Sequence, residues 1–469
     1  MGGLDALFKP RSVAVVGASP DPAKLGYVLL SNLLRHRFPG PVYPISLRHD
    51  TVLHLKAYRS VLDVPGPVDL VLVSIPAPGV AAVLEECGRK GVQAAVVISA
   101  GFREVGPEGQ AREEEVRRVA ARYGIRLLGP NCLGVIDTFH SLDASFAEGM
   151  PARWEVAVMS QSGAMGTAIL DWSLWRGLGF SKFVSLGNMA DVDAVDLLEY
   201  WRDDPQSRVI VGYLEGVGEG RRFMEVARTI TRHKPVILMV VGTTALGAAA
   251  VSSHTGSLAS TERVVDAALR QVGVVRALIM EEMFDFSLCF SYSPLPAGRN
   301  VAVVTNAGGP GVMTADAIER LGLRLAPLEQ GTRERLRAAL PPAASARNPI
   351  DLLGDAGSDR YQVALEAICQ DATVHGVIVL LTPQAVTEPE RTARVISNAA
   401  KLYEKPIFAV YMGGVAVSRG RDMLADAQVP VYFYPERAVR SLQAMVQYAE
   451  YRAALTEAER LREPAQPGG

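Results

Sequence analysis

The amino-acid sequence predicts an α/β protein built from three consecutive doubly wound units, and three observations carry that prediction. Short runs rich in Val and Ile alternate with longer segments of helical period, the pattern of parallel strands buried on both faces by crossover helices. Small-residue turns close several of these runs, as at Val16-Gly17-Ala18-Ser19 and Ser160-Gln161-Ser162-Gly163. Two breaks divide the chain, one at Met150-Pro151-Ala152-Arg153 and a Pro- and Gly-rich one at Ser293-Pro294-Leu295-Pro296-Ala297-Gly298.

In the first unit, residues 1–148, the expected strands are Ser12 to Val16, Val42 to Ile45, Leu70 to Ile75, Ala94 to Ser99 and Arg126 to Leu128. Between them, Glu85 to Lys90 reads as a helix ending at Gly91, and Glu113 to Tyr123 as an amphipathic helix closed by Gly124. Right-handed crossovers make this a Rossmann-like unit. A second unit, residues 149–293, opens on a strand from Glu155 to Met159, and a third, residues 294–460, on Val301 to Thr305. Units two and three echo one another. Val156 to Ala164 matches Val301 to Gly309, Arg208 to Glu215 matches His375 to Thr382, and Lys234-Pro235-Val236-Ile237 matches Lys405-Pro406-Ile407-Phe408, so both read as flavodoxin-like domains from one ancestral unit. Residues 461–469, with two prolines and two glycines, read as a flexible tail.

Composition narrows the function classes. The 469 residues are 49% hydrophobic and 21% charged, which excludes disorder for the bulk, and a net charge of -2 offers no basic surplus for a nucleic-acid backbone. Cys87, Cys132, Cys289 and Cys369 are scattered, with no C-x-x-C pair and no histidine cluster, so neither a disulfide framework nor a metal site is expected. No segment approaches the roughly 18 apolar residues of a membrane span, and the start of the chain carries no long apolar run. A cytoplasmic protein is the expectation.

Chemistry concentrates at a few positions. His254 lies in Ala248-Ala249-Ala250-Val251-Ser252-Ser253-His254-Thr255-Gly256-Ser257-Leu258-Ala259, a run of small residues expected to form a mobile loop. A neutral imidazole there can take a phosphoryl group and carry it between separated sites; a histidine satisfied by local hydrogen bonds is the ordinary alternative. Glu215 ends a strand on the edge where His254 should emerge, and a carboxylate bonded to one ring nitrogen raises the nucleophilicity of the other; a solvated strand-end acid is the competing reading. Ser162, Gly163 and Ala164, and in the echo Gly308, Gly309 and Gly311, sit where a strand turns into a helix, so two helix N-termini make two anion cradles.

The first unit offers a different site. Gly17, Ala18, Ser19, Lys24 and Gly26 form a turn that lets backbone approach a phosphate, but their spacing is not the G-x-G-x-x-G fingerprint. Arg48 follows strand two where an NAD site has an acid, and it suits a ribose phosphate, which coenzyme A and NADP both carry. Ile75, Pro76, Ser99 and Gly101 line the carboxyl edge of the expected sheet, where a long thin ligand lies. Asn131, in Gly129-Pro130-Asn131-Cys132-Leu133-Gly134, can hold an amide or acyl carbonyl, and Cys132 reads as a buried structural thiol rather than a nucleophile.

Taken together, Ser252 to Ala259, Gly129 to Gly134, Ser160 to Ala164, Thr305-Asn306-Ala307-Gly308-Gly309-Pro310-Gly311 and Asn348-Pro349-Ile350-Asp351-Leu352 resemble the nucleoside-diphosphate-forming acyl-CoA synthetases, relatives of succinyl-CoA synthetase, and among them the α subunits of ADP-forming acetyl-CoA synthetases. The resemblance covers nearly the whole chain. It implies a CoA-binding domain and two CoA-ligase domains, with His254 as the phosphohistidine, Glu215 as its supporting carboxylate and the two cradles gripping its phosphate. It implies that acyl-CoA and phosphate give acyl phosphate and CoA, that His254 takes the phosphoryl group, and that ADP receives it. No G-x-x-x-x-G-K-[ST] motif and no ATP-grasp stretch is present, so the resemblance also implies a separate ATP-grasp β subunit in an α2β2 assembly, carrying Mg²⁺ and ADP or ATP. The chain departs from the family pattern in having no basic residue from Met239 to Gly247, in Ser46 and Arg48 where relatives have Asn and Lys, and in Ser260 where glycine is common. These departures motivate an alternative, a non-catalytic CoA-binding or CoA-sensing protein. An NADP-dependent oxidoreductase lacks any recognisable set of hydride-transfer residues.

Overall fold

The computed structural model describes residues 2–255 and 261–461; the expected tail falls outside them from residue 462 onward. The chain divides into two compact units, Met1–Arg276 and Ala277–Gly469.

Unit one holds two sheets. The first comprises β1 (Val13–Val16), β2 (Val42–Ile45), β3 (Leu70–Val73), β4 (Ala94–Val97) and β5 (Arg126–Leu128), all parallel in the order β2-β1-β3-β4-β5. Every residue of β1, β3 and β4 is buried, which is why these runs are continuously apolar rather than alternating. The crossover helix Val80–Lys90 stops at Gly91 and the helix Pro107–Tyr123 stops at Gly124, both glycines left-handed as the sequence anticipates. The second of these helices starts six residues earlier than its amphipathic stretch suggests, because Pro107 occupies a first-turn position where its missing N–H costs nothing.

The second sheet contains β6 (Gly134–Asp137), β7 (Leu142–Ser145), β8 (Arg153–Ser160), β9 (Phe180–Ser185), β10 (Val209–Leu214), β11 (Val236–Val240) and β12 (Val275–Arg276), ordered β12-β11-β10-β8-β9-β6-β7. Its core is parallel, but the β6–β7 hairpin adds antiparallel to β9. Residues that the sequence reading assigned to the end of the first domain thus extend the second sheet. The pairing is fixed by a buried polar cluster in which Asp137 accepts the backbone N–H groups of Phe139 and His140, while Lys182 of β9, fully buried, donates to Asp204 at 2.6 Å and to Gln206 at 3.0 Å. Asn32, on the helix Leu25–Arg35, donates to the carbonyls of Ser145 and Ala147 and joins the first sheet's helical layer to this hairpin.

Unit two carries the third sheet, β13 (Asn300–Thr305), β14 (Arg324–Leu325), β15 (Ile350–Asp351), β16 (Gly376–Leu381), β17 (Ile407–Tyr411) and β18 (Val431–Tyr432), parallel in the order β14-β13-β16-β17-β18 with β15 also paired to β13. The helix Met280–Tyr292 belongs to this unit. Asp285 is gripped in a fork by Arg437 at 2.7 and 2.8 Å, and Glu282 by Arg440 at 2.8 Å, both arginines on the long helix Pro435–Arg460.

Bond for bond, the echo between the second and third sheets is structural. Ser160 and Thr305 each donate a hydroxyl hydrogen bond to the carbonyl two residues on, at 2.7 and 2.8 Å. Asp204 and Asp371 each cap the turn before a central strand by accepting the backbone N–H two residues ahead, and Lys234 and Lys405 each donate to the carbonyl of that aspartate at 2.6 Å. Among the described residues no helix is long and apolar enough to cross a membrane.

Candidate functional site

At the carboxyl edge of the first sheet lies a cleft of about 620 Å³. Gly17, Ala18, Ser19, Lys24, Gly26, Arg48, Ile75 and Pro76 all line it, so eight of the ten residues expected to hold a long phosphate-bearing ligand converge on one cavity. The start of the helix Leu25–Arg35 borders it: the cap residue Lys24 makes no side-chain cap bond, and Lys24, Leu25 and Gly26 all lie in the lining. The close approach requires glycine: a Cβ on Gly26 would stand 2.0 Å from the Gly17 carbonyl oxygen. The chemistry of the lining fits coenzyme A, with helix dipole and Lys24 for the pyrophosphate and Arg48 for the ribose phosphate.

Ser99 and Gly101 do not line this cleft. The Ser99 hydroxyl donates to the Val73 carbonyl at 3.4 Å and the Gly101 N–H donates to the Glu104 carboxylate at 2.6 Å, so both donors are already used within the protein. The sequence reading also missed Arg59, His49 and Glu86 in the lining. Arg59 returns to strand two through the Thr51–Val52 and Leu55–Lys56 hairpin and donates to the Ser46 carbonyl at 3.1 Å. Two-residue strands leave no hydrophobic period to read, and only the parallel pairing of Tyr58 beside Ile45 reveals the return.

Cys132 is buried and its thiol donates to the Val97 carbonyl; burial pushes its pKa up to about 12, so it is not a nucleophile at neutral pH. Asn131 beside it is exposed and left-handed, with φ of 59°.

The first cradle opens the helix Gly163–Arg176. Ser162 caps it, accepting the Met165 N–H at 3.3 Å, while Gly163 faces open space and Ala164 is exposed. The second opens the helix Gly308–Arg320, with Gly308 and Gly309 exposed. Gly311 is buried instead, and a Cβ there would meet Thr305 and Pro349 at 3.2 and 3.7 Å, so its smallness serves packing rather than an anion. The Asp351 carboxylate lies 3.5 Å from the Cβ position of Gly308, which places negative charge at this second cradle.

The segment around His254 departs from the expected loop. Residues Ala245–Thr255 form an α-helix, started by Thr244, whose hydroxyl accepts the Gly247 N–H at 3.1 Å. Alanine is the strongest helix former, and the run Ala248 to Ala250 outweighs the flexibility that small residues suggest. His254 is in the last turn; its side chain, residues 256–260 and the expected contact between His254 and Glu215 lie outside the described residues. Glu215 itself follows β10 with its backbone N–H held by the Gln161 side chain at 2.8 Å.

Three family models match in sequence: a CoA binding domain over residues 11–138, a succinyl-CoA ligase-like flavodoxin domain over 153–290 and a ligase-CoA domain over 301–456. The chain is 42% identical, over 95% of its length and 98% of the relative's, to subunit alpha of ADP-forming acetate–CoA ligase II of Pyrococcus furiosus. It is 39% identical to the ADP-forming 4-hydroxybutyrate–CoA ligase of Nitrosopumilus maritimus, where 95% of this chain covers 64% of the relative. The dinucleotide-forming acetyl-coenzyme A synthetase 1 of Ca. Korarchaeum cryptofilum, solved in complex with phosphate and ADP, superposes with a TM-score of 0.93 at 38% identity, covering 98% of this chain and 99% of that one. The chain therefore belongs to the succinyl-CoA ligase-like family of ADP-forming CoA ligases.

Proposed function

We propose that the chain is the α subunit of an ADP-forming acyl-CoA ligase of the acetate–CoA ligase class. A phosphate oxygen attacks the thioester carbonyl, the C–S bond breaks and CoA leaves as thiolate, giving acyl phosphate. A His254 ring nitrogen then attacks phosphorus, the P–O bond to the acyl group breaks and the carboxylate leaves; phosphohistidine passes the phosphoryl group to ADP. Each step reverses. Glu215 supports the ring, the helix start at Ser162, Gly163 and Ala164 is one phosphate cradle and the helix start at Gly308 and Gly309 is a second, and Asn131 contacts the acyl group. Nucleotide and Mg²⁺ bind an ATP-grasp β subunit in an α2β2 assembly, a reading supported by the "subunit alpha" names of the relatives and by relatives that extend beyond this chain. The family-model segments, 11–138, 153–290 and 301–456, accord with a three-domain division at 1–148, 149–293 and 294–460, save that the hairpin Gly134–Ser145 extends the second sheet and the helix Met280–Tyr292 packs in unit two. Four buried free thiols accord with a cytoplasmic setting.

The observation that carries this reading is the cleft at the first sheet's edge, where an uncapped helix start, Lys24 and Arg48 face one cavity. The chain mixed with a candidate ATP-grasp partner, acetyl-CoA, phosphate, ADP and Mg²⁺ yields ATP, and His254→Ala abolishes the yield. ATP formation that survives the substitution overturns the phosphohistidine assignment.

A further inference from the structure

Asn188 sits in the loop after β9 and is buried, although no step of the proposed chemistry uses it. Its carboxamide nitrogen donates to two carboxylates at once, Glu104 Oε2 at 2.7 Å and Glu113 Oε2 at 2.8 Å. Burial acts to raise the Glu104 pKa, but bonds from Asn188 and from the Gly101 and Phe102 N–H groups outweigh it and hold the carboxyl below its usual range. An ionised carboxylate only accepts, so the Asn188 amide has one allowed orientation: nitrogen toward the acids, oxygen toward Asn131. Asn131 Nδ2 donates to that oxygen at 3.4 Å. The backbones reinforce the pairing, for the Asn188 N–H donates to the Pro130 carbonyl at 2.9 Å and the Asn131 N–H to the Ser99 carbonyl at 3.0 Å. The same loop reaches the first cradle's strand, where the Leu186 N–H donates to the Ser160 carbonyl at 2.8 Å.

We infer that Asn188 is a positioning residue that fixes the polarity of Asn131, turning one Asn131 amide hydrogen inward so that its carbonyl oxygen and its second amide hydrogen face the acyl substrate. This deepens, and rests on, the reading of Asn131 as the acyl contact. The chain of constraint runs in one direction, from Glu104 and Glu113 through Asn188 to Asn131, and the exposed end of it is the group that meets the ligand.

A double-substitution cycle tests it in the assembled enzyme with its ATP-grasp partner, using acetyl-CoA, phosphate and ADP. Asn131→Gly removes the carboxamide while keeping a residue that accepts positive φ. Asn131→Gly and Asn188→Ala each raise the KM for acetyl-CoA about tenfold, the size of one lost hydrogen bond, and the double variant is no worse than Asn131→Gly alone. Calorimetric binding of free CoA is unchanged in all three, because Asn131 does not line the CoA cleft. Should Asn188→Ala fail to fold, Asn131→Asp serves instead: its carboxylate has no proton for the Asn188 oxygen, and it raises KM like Asn188→Ala. Multiplying effects in the cycle overturn the positioning role while leaving the acyl contact standing, whereas an Asn131→Asp enzyme with wild-type KM overturns both, because its carboxylate also lacks the amide hydrogen that faces the acyl group. A wild-type KM in Asn131→Gly removes the acyl contact itself, and the positioning role with it.

Discussion

The Gln161 side-chain oxygen accepts the backbone N–H of Glu215 at 2.8 Å, and so ties the turn of the first cradle to the end of β10, two strand ends that are neighbours in the sheet. In unit two Asn306 performs the same task for Thr382, accepting its N–H at 2.9 Å and its hydroxyl at 3.1 Å while donating to its carbonyl at 2.9 Å. The duplicated halves therefore keep the tether and change what it holds, a carboxylic acid in one and a hydroxyl in the other.

Removing the tether leaves a strand-end N–H without its acceptor. Gln161→Ala is expected to lower stability by about 1 to 2 kcal/mol, and Asn306→Ala by more, because three bonds are lost there rather than one. Urea denaturation of the two variants against the parent chain reads both values, and an unchanged midpoint in either case contradicts the tether.

How much of this was readable beforehand depends on range. The parallel strands, the glycine stops at Gly91 and Gly124, and the match of Arg208–Glu215 to His375–Thr382 rest on local patterns that burial and turn geometry impose directly. The destination of β6 and β7 was not readable, because it depends on Lys182 and Asp204, whose burial against Asp137 is a long-range choice. The segment Ala245–Thr255 reads as a loop in sequence because its small residues suggest flexibility, yet it is helical because alanine also has the best helix propensity. In the cleft at the first sheet's edge the glycines and Lys24 are legible from sequence, whereas Glu104's capture of the Gly101 N–H needs a residue three positions away with no motif of its own.

Arg48 gives the cleft its selectivity for a phosphorylated ribose in the proposed reading. Arg48→Ala is expected to weaken CoA binding about 10- to 100-fold, the range of one charge-assisted contact, while leaving affinity for dephospho-CoA nearly unchanged. Gly26→Ala should abolish binding of both, since its Cβ would strike the Gly17 carbonyl oxygen. Calorimetric titration with the two nucleotides separates the outcomes; equal losses for both ligands in Arg48→Ala would assign the arginine elsewhere.

Cys132 lies one residue from the proposed acyl contact, so its inertness is a sharp expectation. With the thiol pKa raised to about 12 by burial, the thiolate at pH 8 is only about one part in ten thousand. Iodoacetamide at that pH should leave Cys132 unmodified in the folded chain, and Cys132→Ala should retain most of the turnover. Loss of activity on mild alkylation, mapped to this residue, would reverse the assignment.

His375 sets a pH limit on the stability of unit two. Burial, with a smaller contribution from Lys405, pushes its pKa below the ordinary imidazole value of 6.5, and its Nδ1 accepts the Asn300 N–H at 3.3 Å, a bond that only the unprotonated nitrogen can make. Because the folded pKa is the lower one, the unfolded chain takes up the proton first as pH falls. The contribution is therefore full above about pH 6.5 and is lost as pH drops through the folded value. Other groups titrate in the same range, so the measurement is a difference: the unfolding midpoint of the parent minus that of His375→Gln, followed from pH 8 to pH 5. The difference should hold steady above pH 7 and shrink below it. A difference that grows on acidification would mean that the ring is stabilised in its charged form, contrary to its burial and its bond to Asn300.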